Sequence, residues 1–295
     1  MTYHTPVLLK EVATQLRPRR RGLYVDCTVG GGGHAEEILR ACAPEGRLIG
    51  LDWDEEAVAA SRERLSEYGE RVKLVRANFE EVDRVLMSVG ITTVDGALFD
   101  LGVSSRQFDE PSRGFSFQHD GPLDMRMNRQ IQATARDVLR KASLEELVGI
   151  FRVYGEERRA RAIARAIQRE RQTTPIETTT HLARLVERVV GPRRGGIHPA
   201  TRVFQALRIY VNDELENLKR GLEAVVRVLN PSARVVVISF HSLEDRIVKR
   251  FFLERSRSES PTLRVITRKP ITPTDEEMRA NARARSAKLR VAEKV

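Results

Sequence analysis

The sequence predicts an α/β fold: a Rossmann-like parallel sheet carrying an inserted all-helical domain. Three observations point to it. Through roughly the first hundred residues, short apolar runs alternate with helical patterns, the βαβα order of a parallel sheet covered on both faces. After Asp100 the alternation stops, and residues from about 135 to 190 read as helix only. The α/β pattern resumes at 235–240, Val-Val-Val-Ile-Ser-Phe, the most apolar strand candidate in the chain. The expected division is a discontinuous sheet domain, residues 1–108 and 209–295, and an inserted helical domain, residues 109–208.

Strand candidates are residues 23–27, 48–51, 72–75 and 94–99, with helical patterns at 35–43, 55–68 and 79–89 between them. The first strand runs into Val25-Asp26-Cys27-Thr28-Val29-Gly30-Gly31-Gly32-Gly33-His34. Glycines let backbone approach a ligand without an intervening Cβ. The helix starting near His34 offers N–H groups to a carboxylate or phosphate. The second strand ends on Asp52, 22 residues after Gly30, where an acid can accept from ribose hydroxyls. The fourth ends on Asp100. Ligands bind at the carboxyl edge of such sheets, so Asp26, Asp52, Asn78-Phe79 and Asp100 are expected to converge.

Two ligand classes fit this edge. Gly30-x-Gly32-x-x-Ala35 matches the loose dinucleotide fingerprint, a weak signal alone. Asp26, four residues before Gly30, argues the other way, because a carboxylate there would repel a pyrophosphate. The pattern D-x-x-x-G-x-G resembles motif I of class I S-adenosylmethionine methyltransferases, where such an acid helps hold the cationic methionine end. No G-K-S/T follows the glycines, which argues against a P-loop.

Residues 101–128 are polar and glycine-containing, and a stretch this long without regular structure is usually functional. Phe108, Phe115 and Phe117 lie in it beside Arg106, Arg113 and Arg126, either anchoring the loop or stacking on a base. Ser143-x-x-Glu146 is a capping-box start. In residues 156–170, Arg158, Arg161, Arg165 and Arg169 share one helical face, opposite Ala160, Ile163, Ala164 and Ile167. The cationic stripe reads as a phosphate-facing surface or as a solvated face. Arg193-Arg194-Gly195-Gly196 is a second basic spot. One long helix is expected over 200–228. His241 and Asp245 follow the late strand, and either line the substrate side or belong to a helix cap. An edge strand is expected at 263–267 and a basic, polar tail at 276–294.

The chain has 295 residues, 41% hydrophobic and 31% charged, an ordinary balance with ample core. Its net charge of +10 suggests a polyanionic partner, and residues 109–208 alone carry +7 of it. Of 51 basic residues 43 are Arg, which forms planar, bidentate phosphate contacts, although the same bias can follow from a GC-rich genome. No apolar run reaches membrane-spanning length, and the N-terminus lacks a signal-peptide pattern. Only Cys27 and Cys42 are present, so the expectation is a cytoplasmic protein with no disulfide framework and no metal site. Monomer and homodimer both remain open.

The segments Gly30 to His34, Asp100-Leu-Gly-Val-Ser-Ser105, Arg113-Gly-Phe-Ser-Phe117, Pro122-Leu-Asp-Met-Arg-Met127, Gly155-Glu-Glu157 and Ile238-Ser-Phe-His-Ser-Leu-Glu-Asp-Arg246 run nearly end to end. With them the chain resembles the ribosomal small-subunit RNA methyltransferase H family, also called MraW. Departures are few, among them Phe108 for a more usual Leu and Pro231-Ser232-Ala233 for a Pro-Gly-Gly turn. The resemblance implies methylation of N4 of a cytidine in the decoding region of bacterial 16S rRNA, within the small ribosomal subunit, with S-adenosylmethionine as cofactor. It implies cofactor contacts from Gly32, Gly33, His34, Asp52, Phe79, Asp100 and Gln107. Most of these agree with the residues themselves; Gln107 rests on the resemblance alone. Phe79 suits an adenine face or a core position.

N4 of cytosine is a poor nucleophile because its lone pair is delocalised into the ring. Acceptors that hold its N–H groups direct that lone pair at the methyl group. Asp100 is the candidate for this catalytic role, with pure cofactor binding the alternative. Attack through a thiolate, as C5 methylation needs, finds no suitable cysteine in Cys27 or Cys42. Arg158, Arg161 and Arg165, with His241 and Asp245, are the candidate substrate contacts. A methyltransferase acting on another RNA or on a protein is the alternative function.

Overall fold

The computed structural model describes residues 6–191 and 198–295. The basic spot at 193–196 therefore lies outside the described residues. The chain forms two compact units, one of Met1–Gly102 with Leu215–Val295, the other Val103–Glu214. The boundaries fall beside Gly102 and Glu214 rather than after residues 108 and 208.

The first unit holds a sheet of seven strands: β1 (Leu23–Asp26), β2 (Arg47–Asp52), β3 (Val72–Arg76), β4 (Val94–Asp100), β5 (Leu229–Ser239), β6 (Leu263–Val265) and β7 (Lys288–Lys294). Their order is β3-β2-β1-β4-β5-β7-β6. The first five are parallel to one another, while β7 runs antiparallel to both β5 and β6. Helices α1 (Leu9–Leu16), α2 (Gly33–Ala41), α3 (Glu55–Arg64) and α4 (Val82–Ser88) connect or flank the early strands.

Two-residue alternation sorts the strand side chains. Val25, Phe99, Val235 and Val237 enter one core cluster with Leu86 of α4. Tyr24, Leu98, Val236 and Ile238 enter another with Ile38 and Leu39 of α2. Both faces are dry, as a sheet built from parallel crossovers requires. Asp54 caps α3 by accepting from the Glu56 N–H at 3.0 Å.

The second unit is helical and has its own core. It contains α5 (Ser105–Asp109), α6 (Ala135–Lys141), α7 (Leu144–Val153), α8 (Ala160–Thr173), α9 (Thr179–Val190) and α10 (Thr201–Asn212). Ser143 and Glu146 form the expected capping box at the start of α7. The segment at 101–128 is less irregular than expected, since it contains α5 and a 3-10 turn at Pro111–Arg113. Buried Arg113 donates to the carbonyls of Arg126 and Met127 at 3.0 and 2.9 Å. Asn212 joins the same loop to α10, donating to the Met125 carbonyl and accepting from the Met127 N–H, both at 2.7 Å. Phe115 is buried, and Phe117 packs edge-on against Phe204 at 4.9 Å. Phe108 packs on the same core, so all three phenylalanines anchor the loop.

Several expectations need correction. The single helix over 200–228 is two, because Asp213 adopts φ +50° and ends α10 before α11 (Glu214–Val228). The helix expected at 156–170 starts later, since Glu156 has φ +48°. Arg158 thus sits in the turn before α8 rather than on it. The last helices are α12 (Ser242–Arg257) and α13 (Asp275–Ala280), and the tail expected to be basic and polar ends in a strand, β7. Ser232 holds φ +66°, a conformation that disfavours any residue with a Cβ.

Candidate cofactor site at the carboxyl edge of the sheet

Three strand ends meet the glycine turn. The Val29 N–H donates to the Leu51 carbonyl at 2.8 Å, and the Cys27 N–H to the Leu98 carbonyl at 2.9 Å, so β1 leads into its turn still bonded to both neighbours. The Asp100 N–H donates to Thr28 Oγ1 at 2.6 Å, fixing the end of β4 beside the turn. The Gly30 and Asp54 N–H groups donate to the two oxygens of Asp52, each at 2.9 Å. Each carboxylate oxygen can accept more than one hydrogen bond, so Asp52 keeps capacity for hydroxyl donors.

The turn itself is shaped by its glycines. Gly32 has φ +80°, and a Cβ on Gly33 would come to 2.3 Å from Pro6 Cγ. Gly33 and His34 open α2, so by helix geometry their N–H groups lack intrahelical acceptors. Sequence position placed His34 here as a backbone donor; its side chain adds a feature that spacing did not reveal. The imidazole is buried, and Nε2 lies 3.4 Å from Asp100 Oδ2.

Charge is concentrated and incompletely paired. Asp26 is buried, with Oδ1 accepting from the Thr28 N–H at 3.1 Å. Among the described residues, Asp26 Oδ2, both His34 ring nitrogens and Asp100 Oδ1 are buried without a hydrogen-bond partner. Burial pushes the Asp26 carboxyl up to about 7, against the favourable field of His34. Burial likewise pushes Asp52 up to about 6, against the backbone N–H groups of Asp54 and Gly30. For His34, burial favours the neutral ring, but Asp100, Asp26 and Glu277 outweigh it and raise the imidazole above its ordinary value.

Three carboxylates and one imidazole, with orphaned acceptor atoms, fit a cationic ligand. A sulfonium and an ammonium group suit them; a pyrophosphate does not. S-adenosylmethionine therefore fits the set of groups that Asp26, Asp52 and Asp100 present.

The other expected contacts have structural work of their own. Phe79 is half-buried and packs edge-on to Phe99 with ring centroids 5.5 Å apart. In the helical unit, Gln107 accepts from the Ser104 N–H at 2.9 Å in the capping box of α5. His241 rather than Ser242 caps α12: its Nδ1 accepts from the Glu244 N–H at 3.4 Å, and Glu244 accepts from the Phe240 N–H at 2.8 Å. Asp245 accepts from Arg290 Nε at 2.6 Å and lies 3.5 Å from Lys288 Nζ. Arg290 and Lys288 hold the Asp245 carboxyl below its usual range despite its burial. Arg158, Arg161 and Arg165 are exposed, and none has a hydrogen-bond or ion-pair partner among the described residues.

The family model for the MraW methylase family matches residues 1–295. The chain belongs to this family. Ribosomal RNA small subunit methyltransferase H of Symbiobacterium thermophilum is 49% identical over 308 residues, covering 99% of this chain and 97% of the relative. Its namesake from Carboxydothermus hydrogenoformans is 49% identical over 306 residues, covering 99% and 98%. Among solved structures, an rRNA methylase from Streptococcus thermophilus aligns with a TM-score of 0.44 at 10% identity, covering 97% of this chain and 93% of its own. Membership makes the protein an S-adenosylmethionine-dependent methyltransferase, and its sheet has the class I arrangement, with β7 reversed between β5 and β6. Among the described residues no helix is long and apolar enough to cross a membrane.

Proposed function

We propose that the protein methylates the exocyclic N4 of a cytidine in the decoding region of bacterial 16S rRNA. The observation that carries this reading is Asp100. It ends β4 at the cofactor edge and keeps one carboxylate oxygen without a hydrogen-bond partner while the other faces His34. The relatives' name, ribosomal RNA small subunit methyltransferase H, supports small-subunit ribosomal RNA as substrate.

S-adenosylmethionine, when bound, supplies an already activated methyl group, so positioning and electrostatics are what remain for the protein. Gly33 and His34 present backbone N–H groups to the methionine carboxylate, and Gly32, whose own N–H donates to the Val29 carbonyl at 2.7 Å, brings bare backbone up to the methionine part. Asp26 faces the ammonium end, Asp52 accepts from the ribose hydroxyls, and Phe79 lies against the adenine, while Gln107 is a cofactor contact on the family resemblance alone. Asp100 accepts an N–H of the incoming amine, orienting the N4 lone pair. Arg158, Arg161 and Arg165 hold RNA phosphates, which position the substrate without reading its sequence. His241 caps α12 and Asp245 pairs with Arg290, so both act on the fold rather than on the RNA.

Mass mapping of methyl groups on 16S rRNA, with and without the enzyme, tests the reading. One added methyl on N4 of a decoding-region cytidine is expected. Methylation of protein only, or of another RNA, would replace it. Asp100→Ala is expected to lower methyl transfer at saturating S-adenosylmethionine by roughly a hundredfold or more, the scale of one lost transition-state hydrogen-bond partner. Unchanged transfer by this variant removes the orienting role.

A further inference from the structure

The helical unit exposes a tyrosine, beside a second one packed on the core, that neither packing nor the cofactor site explains. Tyr210 on α10 is 45% exposed, and Val153, the last residue of α7, is 57% exposed. Tyr154 follows Val153, and its ring lies 6.3 Å from that of Tyr210, tilted by 43°. Isolated exposed apolar residues need no explanation, but a tyrosine pair at the surface of a strongly basic unit is a different case.

The turn that carries it is stiff. Gly155 lies so close to α10 that a Cβ there would come to 2.6 Å from the Arg202 carbonyl. Gln205 donates to the Tyr154 carbonyl at 3.0 Å, and the Glu157 N–H donates to the Phe151 carbonyl at 3.1 Å. Glu157 is itself buried and accepts from the Arg159 N–H at 2.7 Å. Tyr154 is thereby held against α10 beside Tyr210. The same stretch bears Arg152, Arg158 and Arg161, all exposed and without a partner among the described residues. An exposed tyrosine in a unit that also bears exposed, unpaired guanidinium groups offers the two interactions by which proteins bind single-stranded RNA, base stacking and phosphate contact.

We propose that Tyr210, buttressed by Tyr154, is a stacking platform for an unpaired base of the RNA substrate, with Arg152, Arg158 and Arg161 contacting the adjoining phosphates. This rests on the RNA-methyltransferase reading above and adds to it a base-binding subsite in the helical unit. A second copy of the chain is the rival occupant, but the positive charge of the surrounding residues opposes self-association there.

The test compares Tyr210→Leu, which keeps apolar area without a π-face, with Tyr210→Phe, in binding to a single-stranded 16S rRNA fragment and to S-adenosylmethionine. Tyr210→Leu is expected to weaken RNA binding by about five- to a hundredfold with an unchanged salt slope. Tyr210→Phe is expected to stay within about twofold of wild type, because the ring face remains. Cofactor affinity and melting temperature should hold in both, which separates lost stacking from a lost fold. Equal RNA binding by Tyr210→Leu and wild type overturns the platform, whether or not self-association changes in sedimentation. If the wild type binds no RNA at all, the functional reading itself falls.

Discussion

Strand β7 and helix α8 are both rich in charge, and they treat it in opposite ways. On β7, Glu293 lies directly across from Arg234 of β5 and Arg264 of β6 and pairs with both. Arg290, with a side chain only 7% exposed, pairs with Asp245 of α12. On α8, Arg161, Arg165 and Arg169 are exposed and unpaired among the described residues, above a buried face of Ile163, Ala164 and Ile167. Burying a charge is costly unless it is paired, whereas an exposed guanidinium stays hydrated. The first set of charges belongs to folding; the second is available to a partner.

The largest expected effect comes from breaking the buried set. Arg290→Met leaves the Asp245 carboxylate facing Lys288 alone, and should cost about 3–5 kcal/mol of stability, the usual penalty for removing one member of a buried pair. Urea denaturation measures it; a loss under 1 kcal/mol would mean that water reaches Asp245. RNA binding by the folded protein should not change. Reversal of Arg158, Arg161 and Arg165 to Glu is the converse experiment. It should weaken rRNA binding on the order of a hundredfold and flatten its salt dependence. Stability should move by less than about 0.5 kcal/mol and cofactor affinity not at all. Full rRNA binding by this variant would return the stripe to an ordinary solvated face.

The acids of the cofactor edge sharpen the contrast, because Asp26 is buried like the charges of β7 and Asp52 is half-buried, yet among the described residues neither has an ion-pair partner. Asp26, pushed up to about 7, and Asp52, pushed up to about 6, both hold protons that the unfolded chain would release near 4. The cofactor-free protein should therefore lose stability as pH rises from about 4 through 7. A cation bound beside Asp26 favours its charged form, so S-adenosylmethionine affinity should rise with pH up to about 7. The change is at most about tenfold per pH unit for one linked proton. Calorimetry in buffers of different ionisation enthalpy should register proton release on binding. A pH-independent affinity with no proton release would show that Asp26 is already ionised.

The early α/β half was legible because its periodicities are unmixed. Four apolar strands ending on Asp26, Asp52, Arg76 and Asp100 alternate with helices, and glycines mark the turn. Strand β7 was not legible, since Lys-Leu-Arg-Val-Ala-Glu-Lys reads as a polar tail until Asp245 and Arg234 are placed beside it. The break at Asp213 and the late start of α8 were also hidden. Each depends on a non-glycine residue in left-handed geometry, which composition does not announce. Of the proposed site, strand position pointed to Asp52 and Asp100, and turn chemistry to Gly32, Gly33 and His34. The His34 side chain was missed as an electrostatic partner, because no local pattern links it to Asp100, 66 residues away.

By itself, the sequence determined the local and periodic properties of this protein: strand ends, the glycine turn, the capping box, the cationic stripe and the family to which they point. The tertiary structure alone decided which charges are spent on one another. Pairing needs distance and burial, and those arise only when residues far apart in the chain are brought into a dry interior, as at Asp245–Arg290, or left at a wet surface, as at Arg161.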